Sequence, residues 1–436
     1  MDWIIAGSLL LFAILIFCGV PIPFGFLASV LFLAITKGFD LALLLPVGFT
    51  SLNSVTLLSM PFFIALGYVV TGGSIARRLL DLANAFVGRI PGGLGVVACV
   101  TSAIFGAISG AAASSVIAIG TIMIPEMERH GYPRGYAAAL VSASAVLSTL
   151  IPPSITMIMY AFVTGQSVAA CFLSTMIPGL ILTFMFSAVN VYLVKTRIPT
   201  VQIEPQISFH EKLSLIREKM KPAIGGIILP VIILGGIYGG IMTPTEAAAV
   251  GVAYTLFLSL FVYREISFGK ALLFLRASVS DSGTMMIMTF FAAILSRMFA
   301  MEEVPQLVSG MMLSVSNNKY ILLMVINVFL VFVGMIVDAI SGILLVTPLL
   351  YPVILKMGVH PVHFAAIIGV NLGMGMLTPP MAGILYIGAK TAKVTVDKMI
   401  KPIMIFIVTC YLPVIILTTY WEPLSLFLPR VMGIIR

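Results

Sequence analysis

The sequence predicts an all-α polytopic membrane protein with inverted-topology repeats, two helical hairpins and two broken helices. Three observations predict this class. The 436 residues are 60% hydrophobic and only 9% charged, with a mean hydropathy of +1.16. Two stretches of the chain match each other at a fixed separation of 227 residues. Each stretch carries a Pro-Pro pair inside an apolar segment, where a continuous helix has to break.

The composition points to lipid as the solvent for most of the exterior. A soluble domain carries roughly 25% charged residues, and this chain has too few to cover a soluble surface. A helix needs about 20 apolar residues to cross the hydrocarbon core of a bilayer. On that basis the apolar runs predict roughly ten to twelve spanning or half-spanning segments. The runs are residues 3–19, 22–36, 54–71, 93–125, 136–163, 168–194, 222–243, 246–263, 284–301, 320–356, 362–389 and 401–429.

The start of the chain, its cysteines and its charge each argue against one class of protein. Residues 1–3 supply no basic region, so we expect the first apolar run to be retained and not cleaved as a signal peptide. The cysteines lie apart in apolar stretches, which argues against a disulfide framework or a cysteine metal site. The net charge of +8 concentrates in loops that flank membrane segments, so no nucleic-acid partner is expected. The longest polar interruption, 195–221, predicts a cytoplasmic linker between two halves.

The internal repeat is defined by landmarks that recur 227 residues apart. They are Pro125 and Pro352, Gly131 and Gly358, Ser114 and Ser341, and the pairs Pro152-Pro153 and Pro379-Pro380. The alternative is that glycine and proline are simply common in membrane helices. A basic stretch at 74–89 falls opposite an acidic stretch at 301–316, which holds Glu302 and Glu303 and no basic residue. Opposite charge at equivalent loops predicts opposite sides of the membrane, as an inverted repeat requires.

Small and hydroxyl residues interrupt the apolar run 93–124. Their density between 101 and 115 weakens a continuous helix, so we predict a helical hairpin with its tip near 106–115. A second interpretation takes Gly106 and Gly110 as a helix-packing face.

The Pro-Pro pairs predict two broken helices. Neither proline can donate a backbone hydrogen bond, so carbonyl groups before each pair lose their partners. Such backbone is tolerated at membrane depth only where a cation, water or protein group satisfies it. A simple proline kink against a neighbouring helix remains the alternative.

Asp338 is an isolated charge in an apolar segment. No charged residue lies within fifteen positions on either side of it. A carboxylate at membrane depth is costly and by default functional, which favours a partner such as Na⁺ or a proton. Ser341, Asn371 and Thr378 could add oxygen ligands. The alternative is a carboxylate at a hairpin tip that reaches water.

Six motifs carry a resemblance that covers essentially the whole chain. They are residues 106–110, 118–127, 131–132, 243–249, 334–338 and 371–380. These motifs resemble the large membrane subunit of tripartite ATP-independent periplasmic (TRAP) transporters. The resemblance implies a multi-pass protein of the bacterial inner membrane that imports small carboxylates, such as C4-dicarboxylates or sialic acid, together with sodium. One departure is Ala111, which stands where the family often has serine, so a hydroxyl contact is in doubt there.

The resemblance also implies partners and a mechanism. The partners are a separate small membrane subunit of the Q type, a periplasmic substrate-binding protein and a small carboxylate solute. The mechanism is an elevator, in which a transport domain moves against a scaffold. The repeat supplies four matching transport elements at 93–124, 136–164, 325–356 and 362–389. The predicted domains are scaffold helices at 1–90, the first transport half at 91–165, scaffold helices with the linker at 166–320, the second transport half at 321–390 and a C-terminal scaffold helix at 391–436.

Hairpin tips and broken helices expose free N–H groups to anions and free oxygens to cations. The predicted substrate-binding residues are Ser109, Gly110, Ser114 and Ser341. The predicted Na⁺ ligands, for two or more sites, are Asp338, Ser114, Ser341, Asn371, Gly373, Thr378, Thr149 and Pro152.

Two other functions are left open by the sequence. A proton-coupled or stand-alone anion symporter would carry similar hairpins without needing a binding protein. A membrane enzyme or scaffold would explain the hydrophobicity but not two matched hairpins. We do not expect an enzyme, because residues 373–375 lack the third glycine of a dinucleotide fingerprint and no nucleophile elbow is present. His360 and His363 have no Cys or carboxylate nearby in sequence to complete a zinc site.

Overall fold

The computed structural model describes residues 3–202, 205, 207–316 and 318–435, and all the regular structure in these residues is helical. The helices are α1 (Trp3–Phe17), α2 (Ile22–Lys37), α3 (Leu41–Leu52), α4 (Val55–Gly72), α5 (Ile75–Val87), α6 (Gly93–Ser109), α7 (Ala112–Arg129), α8 (Arg134–Ala145), α9 (Ile155–Thr164), α10 (Val168–Arg197), α11 (Phe209–Tyr238), α12 (Pro244–Phe257), α13 (Phe268–Met301), α14 (Val304–Val315), α15 (Lys319–Ile336), α16 (Ala339–Lys356), α17 (Pro361–Gly375), α18 (Gly383–Ala392), α19 (Asp397–Phe406), α20 (Leu412–Tyr420) and α21 (Pro423–Val431). A 3₁₀ turn at Val146–Thr149 follows α8, and π turns at Leu258–Val262 and Ile407–Tyr411 follow α12 and α19.

Within the described residues, eight helical segments are long and apolar enough to cross a membrane. They are Val55–Gly72, Val168–Arg197, Phe209–Tyr238, Pro244–Val262, Phe268–Met301, Lys319–Ile336, Ala339–Lys356 and Asp397–Tyr420. The predicted all-α polytopic class is therefore confirmed. Several shorter apolar helices accompany them, among them α6, α9 and α17, which belong to the hairpins and broken helices.

The first hairpin is formed by α6 and α7 and turns at Gly110. This glycine adopts a left-handed backbone with φ of 62°, which residues with a Cβ rarely adopt, and Ala111 is extended before α7 begins. The predicted tip is confirmed. Gly106 also acts as a packing residue, because a methyl group there would lie 2.6 Å from the Cα of Ser148. Both interpretations of the glycine pair therefore hold, one for each glycine.

The second hairpin, α15 and α16, repeats the first one closely. Shifting the bounds of α7, Ala112–Arg129, by 227 residues gives Ala339–Lys356, the bounds of α16. The turn consists of Val337 and Asp338. The predicted start of this hairpin at 325 is too late, because α15 begins at Lys319 and its first turns contain apolar residues that continue the helix.

The two broken helices also correspond. The first consists of α8, the 3₁₀ turn and α9, and the second consists of α17 and α18; the Pro-Pro peptide bond is cis in both breaks. Hydroxyl groups satisfy some of the freed carbonyls in the first break. Ser154 Oγ donates to the carbonyl of Thr149 over 2.6 Å, and Thr175 Oγ1 donates to the carbonyl of Leu150 over 2.5 Å. The breaks predicted at 136–164 and 362–389 are one to three residues longer at the affected ends.

The helices pack as two groups. One group holds α1–α4 and α11–α13, with α13 packed against α2, α3 and α4. The other holds both hairpins and both broken helices. Although the sequence placed α10 and residues 391–436 in the scaffold, α10 packs against α6, α9 and α17, and α19 packs against α8. The C-terminal stretch also contains α19, α20 and α21 where a single helix was predicted.

The polar linker is shorter than predicted, because α10 and α11 extend into both ends of 195–221. Ser208 and Glu211 form a capping box that fixes the start of α11. Residues 203, 204 and 206, among them the Glu204 assigned to this linker, lie outside the described residues.

The length of α13 separates the basic stretch from the acidic stretch. Just before α13 begins, Glu265 pairs with Arg78 of the basic stretch. Just after α13 ends, Glu302 of the acidic stretch pairs with Lys37 over 2.7 Å. A straight helix of 34 residues is about 51 Å long, more than the hydrocarbon thickness of about 30 Å. This geometry favours opposite membrane sides for the two stretches.

We predict that single cysteines at Ser74 and Gln306, on a background without native thiols, are labelled from opposite sides. The physical reason is the span of α13 between the two stretches. A membrane-impermeant thiol reagent applied to intact cells and to inverted vesicles measures the labelling. Labelling of both cysteines from one side would contradict the inverted repeat.

Candidate functional site

A cavity of about 520 Å³ lies where the two hairpin tips meet α4 and α13. Its wall combines three sources: residues 109–114 of the first hairpin, 335–340 of the second, and one face each of α4 and α13. Residues of the two breaks, among them Thr149 and Met381, complete the lining. The repeat therefore brings its interrupted backbone to a single place, at the boundary between the two helix groups.

Asp338 forms the N-cap of α16 and lines this cavity. Its Oδ2 accepts a hydrogen bond from the N–H of Ile340 over 3.0 Å, and its Oδ1 accepts one from the hydroxyl of Ser341. The residue is exposed at the tip, so the alternative that its carboxylate reaches open space describes the geometry. A carboxylate at a helix N-terminus is stabilised by the N–H groups and by the helix dipole.

The equivalent position in the first hairpin is Ala111, and α7 has no side-chain cap. The first N–H groups of a helix have no acceptor within it, so those of α7 remain available at the cavity wall. Ser109 is 1% exposed and its hydroxyl has no hydrogen-bond partner in the described residues. Ser114 is engaged, because its hydroxyl donates to the carbonyl of Ala111 over 2.9 Å. The first tip therefore offers donors where the second offers a carboxylate.

The first tip is attached to the first break. The N–H of Ile155, at the start of α9, donates to the carbonyl of Gly110 over 3.4 Å. Thr149 lines the cavity beside it, and its hydroxyl donates to the carbonyl of Val146 over 2.8 Å. A methyl group on Gly373 of the second broken helix would lie 3.8 Å from Thr149 Oγ1. Two predicted Na⁺ ligands, Thr149 and Gly373, are therefore neighbours.

The other predicted ligands lie farther back. Asn371 donates to the side chain of Asn327 over 2.9 Å, while its Oδ1 has no partner in the described residues. Thr378 donates to the carbonyl of Met374 over 2.8 Å. Pro152 is buried in the first break and, like Asn371 and Thr378, is not part of the cavity wall. Their roles as Na⁺ ligands stay predictions.

Ser341 is close to Asp338 but points away from the cavity wall. Besides its bond to Asp338, its hydroxyl donates to the sulfur of Met288 over 3.1 Å. His363 is explained by packing, because its Nδ1 lies 2.6 Å from Ser425 Oγ between α17 and the C-terminal helices.

Sequence reasoning missed two residues of the cavity wall. Tyr68 of α4 donates its hydroxyl to Oδ2 of Asp281 on α13 over 2.6 Å, and both residues line the cavity. Asp281 could have been found by the argument applied to Asp338, because it is an acidic residue in a long apolar helix. The described lining residues include these two aspartates and no Lys, Arg or His.

The family described as "Tripartite ATP-independent periplasmic transporter, DctM component" matches residues 9–424. The chain belongs to this family. It is 35% identical to the C4-dicarboxylate TRAP transporter large permease protein DctM of Pseudomonas aeruginosa, over 87% of each chain. It is 30% identical to the sialic acid TRAP transporter large permease protein SiaM of Vibrio cholerae, over 97% of this chain and 98% of that one.

The fold of this TRAP permease is similar to that of the YdaH transporter of Alcanivorax borkumensis. The TM-score is 0.59 at 16% identity, over 87% of this chain and 88% of that one. At this identity the likeness concerns the fold alone. Family membership establishes a large permease subunit in the inner membrane and makes a catalytic role unnecessary to explain the cavity.

Two substitutions at Ala111 test whether the first tip of the permease holds an anion. Ala111 is extended, as an N-cap must be, so Asn and Asp should both cap α7 and raise stability by about 1 kcal/mol. Only Asp adds a negative charge at the cavity. We expect Ala111→Asp to lower uptake at least about tenfold, or about 1.4 kcal/mol, and Ala111→Asn to retain most of it.

Thermal unfolding in detergent and uptake by proteoliposomes measure the two effects separately. Equal loss of uptake in both variants would assign the effect to capping and contradict an anion site at this tip.

Proposed function

We propose that this permease imports a small organic acid together with Na⁺, and that a periplasmic binding protein delivers the acid. One observation carries the proposal: the two hairpins place an uncapped helix N-terminus and a carboxylate at equivalent positions of one cavity. The first favours an anion and the second favours a cation. The cavity therefore offers adjacent sites of opposite charge.

The anion would bind at the start of α7. Free N–H groups and the positive end of the helix dipole favour a carboxylate there. The unpartnered hydroxyl of Ser109 supplies a further donor beside the left-handed turn at Gly110. A larger residue at 110 would collide with the first break, since a methyl group would lie 2.8 Å from the carbonyl of Pro153.

The cation would bind near the second tip and the breaks. Na⁺ takes hard oxygen ligands, and Asp338 offers a carboxylate with lone pairs beyond its two hydrogen bonds. The hydroxyl of Thr149 and the backbone around Gly373 lie between the two breaks. Within the described residues no group of three His, Cys, Asp or Glu side chains could hold a metal ion, so these sites would depend on hydroxyl and carbonyl oxygens.

The two sites would favour one another. A cation beside Asp338 neutralises the carboxylate and removes its repulsion of an incoming anion. Affinity for the acid should then rise with the sodium concentration, and by linkage affinity for sodium should rise with the acid.

The helix packing supports an elevator in which the hairpins and broken helices move. We place α10, α19 and α20 with the moving body, because they pack against it. The stationary body would be the group that contains α4 and α13. The close approach at Gly67, where a methyl group would lie 3.5 Å from the carbonyl of Ser109, leaves a smooth face on α4 for such movement.

The proposed partners follow from the family. A tripartite transporter requires a small membrane subunit and a binding protein beside the large permease. The relatives are named for C4-dicarboxylates and for sialic acid, which supports a small carboxylate as the solute.

A proton-coupled symporter is the second candidate. It is favoured by the exposure of Asp338, since a carboxylate that reaches the cavity could also bind a proton. Sodium dependence of transport distinguishes the two candidates.

Uptake by proteoliposomes that hold the permease and its small subunit tests the proposal. We expect uptake only with a sodium gradient and with the cognate binding protein present. We expect Asp338→Asn to lower it at least about tenfold, because the amide still caps α16 but no longer attracts a cation strongly. Asp40→Asn is the matched control, since Asp40 caps α3 in the same way, accepting from the N–H of Ala42 over 2.8 Å outside the cavity.

Uptake driven equally by a proton gradient without sodium would favour the second candidate. Full uptake of free acid without any binding protein would make the permease a stand-alone symporter. Unchanged sodium dependence in Asp338→Asn would assign this residue to structure alone.

A further inference from the structure

The wall of the cavity opposite the hairpin tips is polar, and the proposed ion sites do not use it. Tyr68 and Thr71 lie three residues apart on α4 and therefore on one face of that helix. Asp281 faces them from α13 and accepts the hydrogen bond from Tyr68 over 2.6 Å. All three line the cavity. None of them belongs to the repeat.

Two atoms on this wall are left without complete hydrogen bonding. The hydroxyl oxygen of Thr71 is buried and has no partner in the described residues. Asp281 receives one hydrogen bond at Oδ2, whereas an ionised carboxylate has about four acceptor positions. A buried polar group without a partner is costly, so the wall is best satisfied when a ligand occupies it.

The chemistry of this wall selects hydrogen-bond donors. An ionised carboxylate accepts and never donates, so the ligand group that meets Asp281 must carry a hydrogen. A hydroxyl group fits both Asp281 and Thr71, because a hydroxyl can donate to one and accept from the other. A second carboxylate would meet the like charge of Asp281, and the described lining has no Lys, Arg or His to offset it.

We propose that Tyr68, Thr71 and Asp281 form a hydroxyl-recognising subsite, which makes the transported solute a hydroxylated monocarboxylate of the sugar-acid class. The inference rests on the proposed function, because it assumes that the single carboxylate binds at the start of α7. The hydroxyl groups then extend across the cavity to α4 and α13. Tyr68 orients Asp281 through its hydrogen bond, and Thr71 completes the pattern.

Three acids of four carbons separate the possibilities. Threonate is a hydroxylated monocarboxylate, butyrate is a monocarboxylate without hydroxyls, and succinate is a dicarboxylate. Calorimetric titration of the purified permease and small-subunit complex, at saturating sodium, measures the affinity for each. We expect threonate to bind at least about tenfold more tightly than either of the others, since a site built for hydroxyls discriminates against their absence.

Variants then test the assignment of residues. Asp281→Asn and Thr71→Val should each lower the preference for threonate over butyrate by about tenfold, and Tyr68→Phe should lower it less, because Asp281 remains. Asp81→Asn is the matched control, the same chemical change on α5 away from the cavity lining, and should leave the preference unchanged. Tyr68→Phe also guards against misfolding, because it keeps the ring that packs against the core.

The sodium affinity of each variant, titrated without acid, provides the independent readout. An unchanged sodium affinity with a reduced threonate preference is the expected result. A weakened sodium affinity in Asp281→Asn with the preference intact would make this residue a cation ligand and overturn the subsite. Tighter binding of succinate than threonate, or no binding of threonate, would also overturn it. Sodium-driven uptake of succinate would leave the proposed function standing, whereas loss of sodium dependence for every acid would refute that function itself.

Discussion

The site depends on one constraint, which is that backbone polar groups inside a membrane need partners. A continuous helix satisfies them internally, so any interruption creates donors or acceptors that lipid cannot serve. This chain interrupts its helices at two hairpin tips and two Pro-Pro breaks, and the fold gathers the resulting groups around one cavity. Where protein hydroxyls do the work, as at Thr149 and Leu150, the break is structural. Where no such group is present, as at the start of α7, the backbone is free to bind a ligand.

The two repeats have the same backbone but different chemistry at their tips. Asp338 closes the second tip by capping its helix, while Ala111 leaves the first tip open. The same 227-residue correspondence that makes the hairpins equivalent makes this difference visible. The departure from the family's usual serine at 111 therefore does not remove a site. It removes a competitor for the helix N-terminus.

Local signals in the sequence were enough to predict the interruptions. Glycine 110 sets the first tip and the proline pairs set the breaks through their own backbone restrictions, so both could be located without a structure. Contacts between distant segments could not. The pairing of Tyr68 with Asp281 joins positions 213 residues apart, and the packing of α10 against the broken helices depends on how apolar faces meet. The start of α11 was hidden because polar residues at its first turns look like linker.

The separation of the two cavity aspartates between the helix groups has an electrical consequence. In the proposed elevator Asp338 travels with its hairpin, whereas Asp281 stays with α13. An unloaded carrier would then move one negative charge through the membrane potential, which is worth about 2.3 kcal/mol per 100 mV. With the cell interior negative, that voltage would push the empty carrier outward and speed its return for the next solute. Transient currents in solute-free proteoliposomes would reveal this charge, and currents that persist in Asp338→Asn would place it elsewhere.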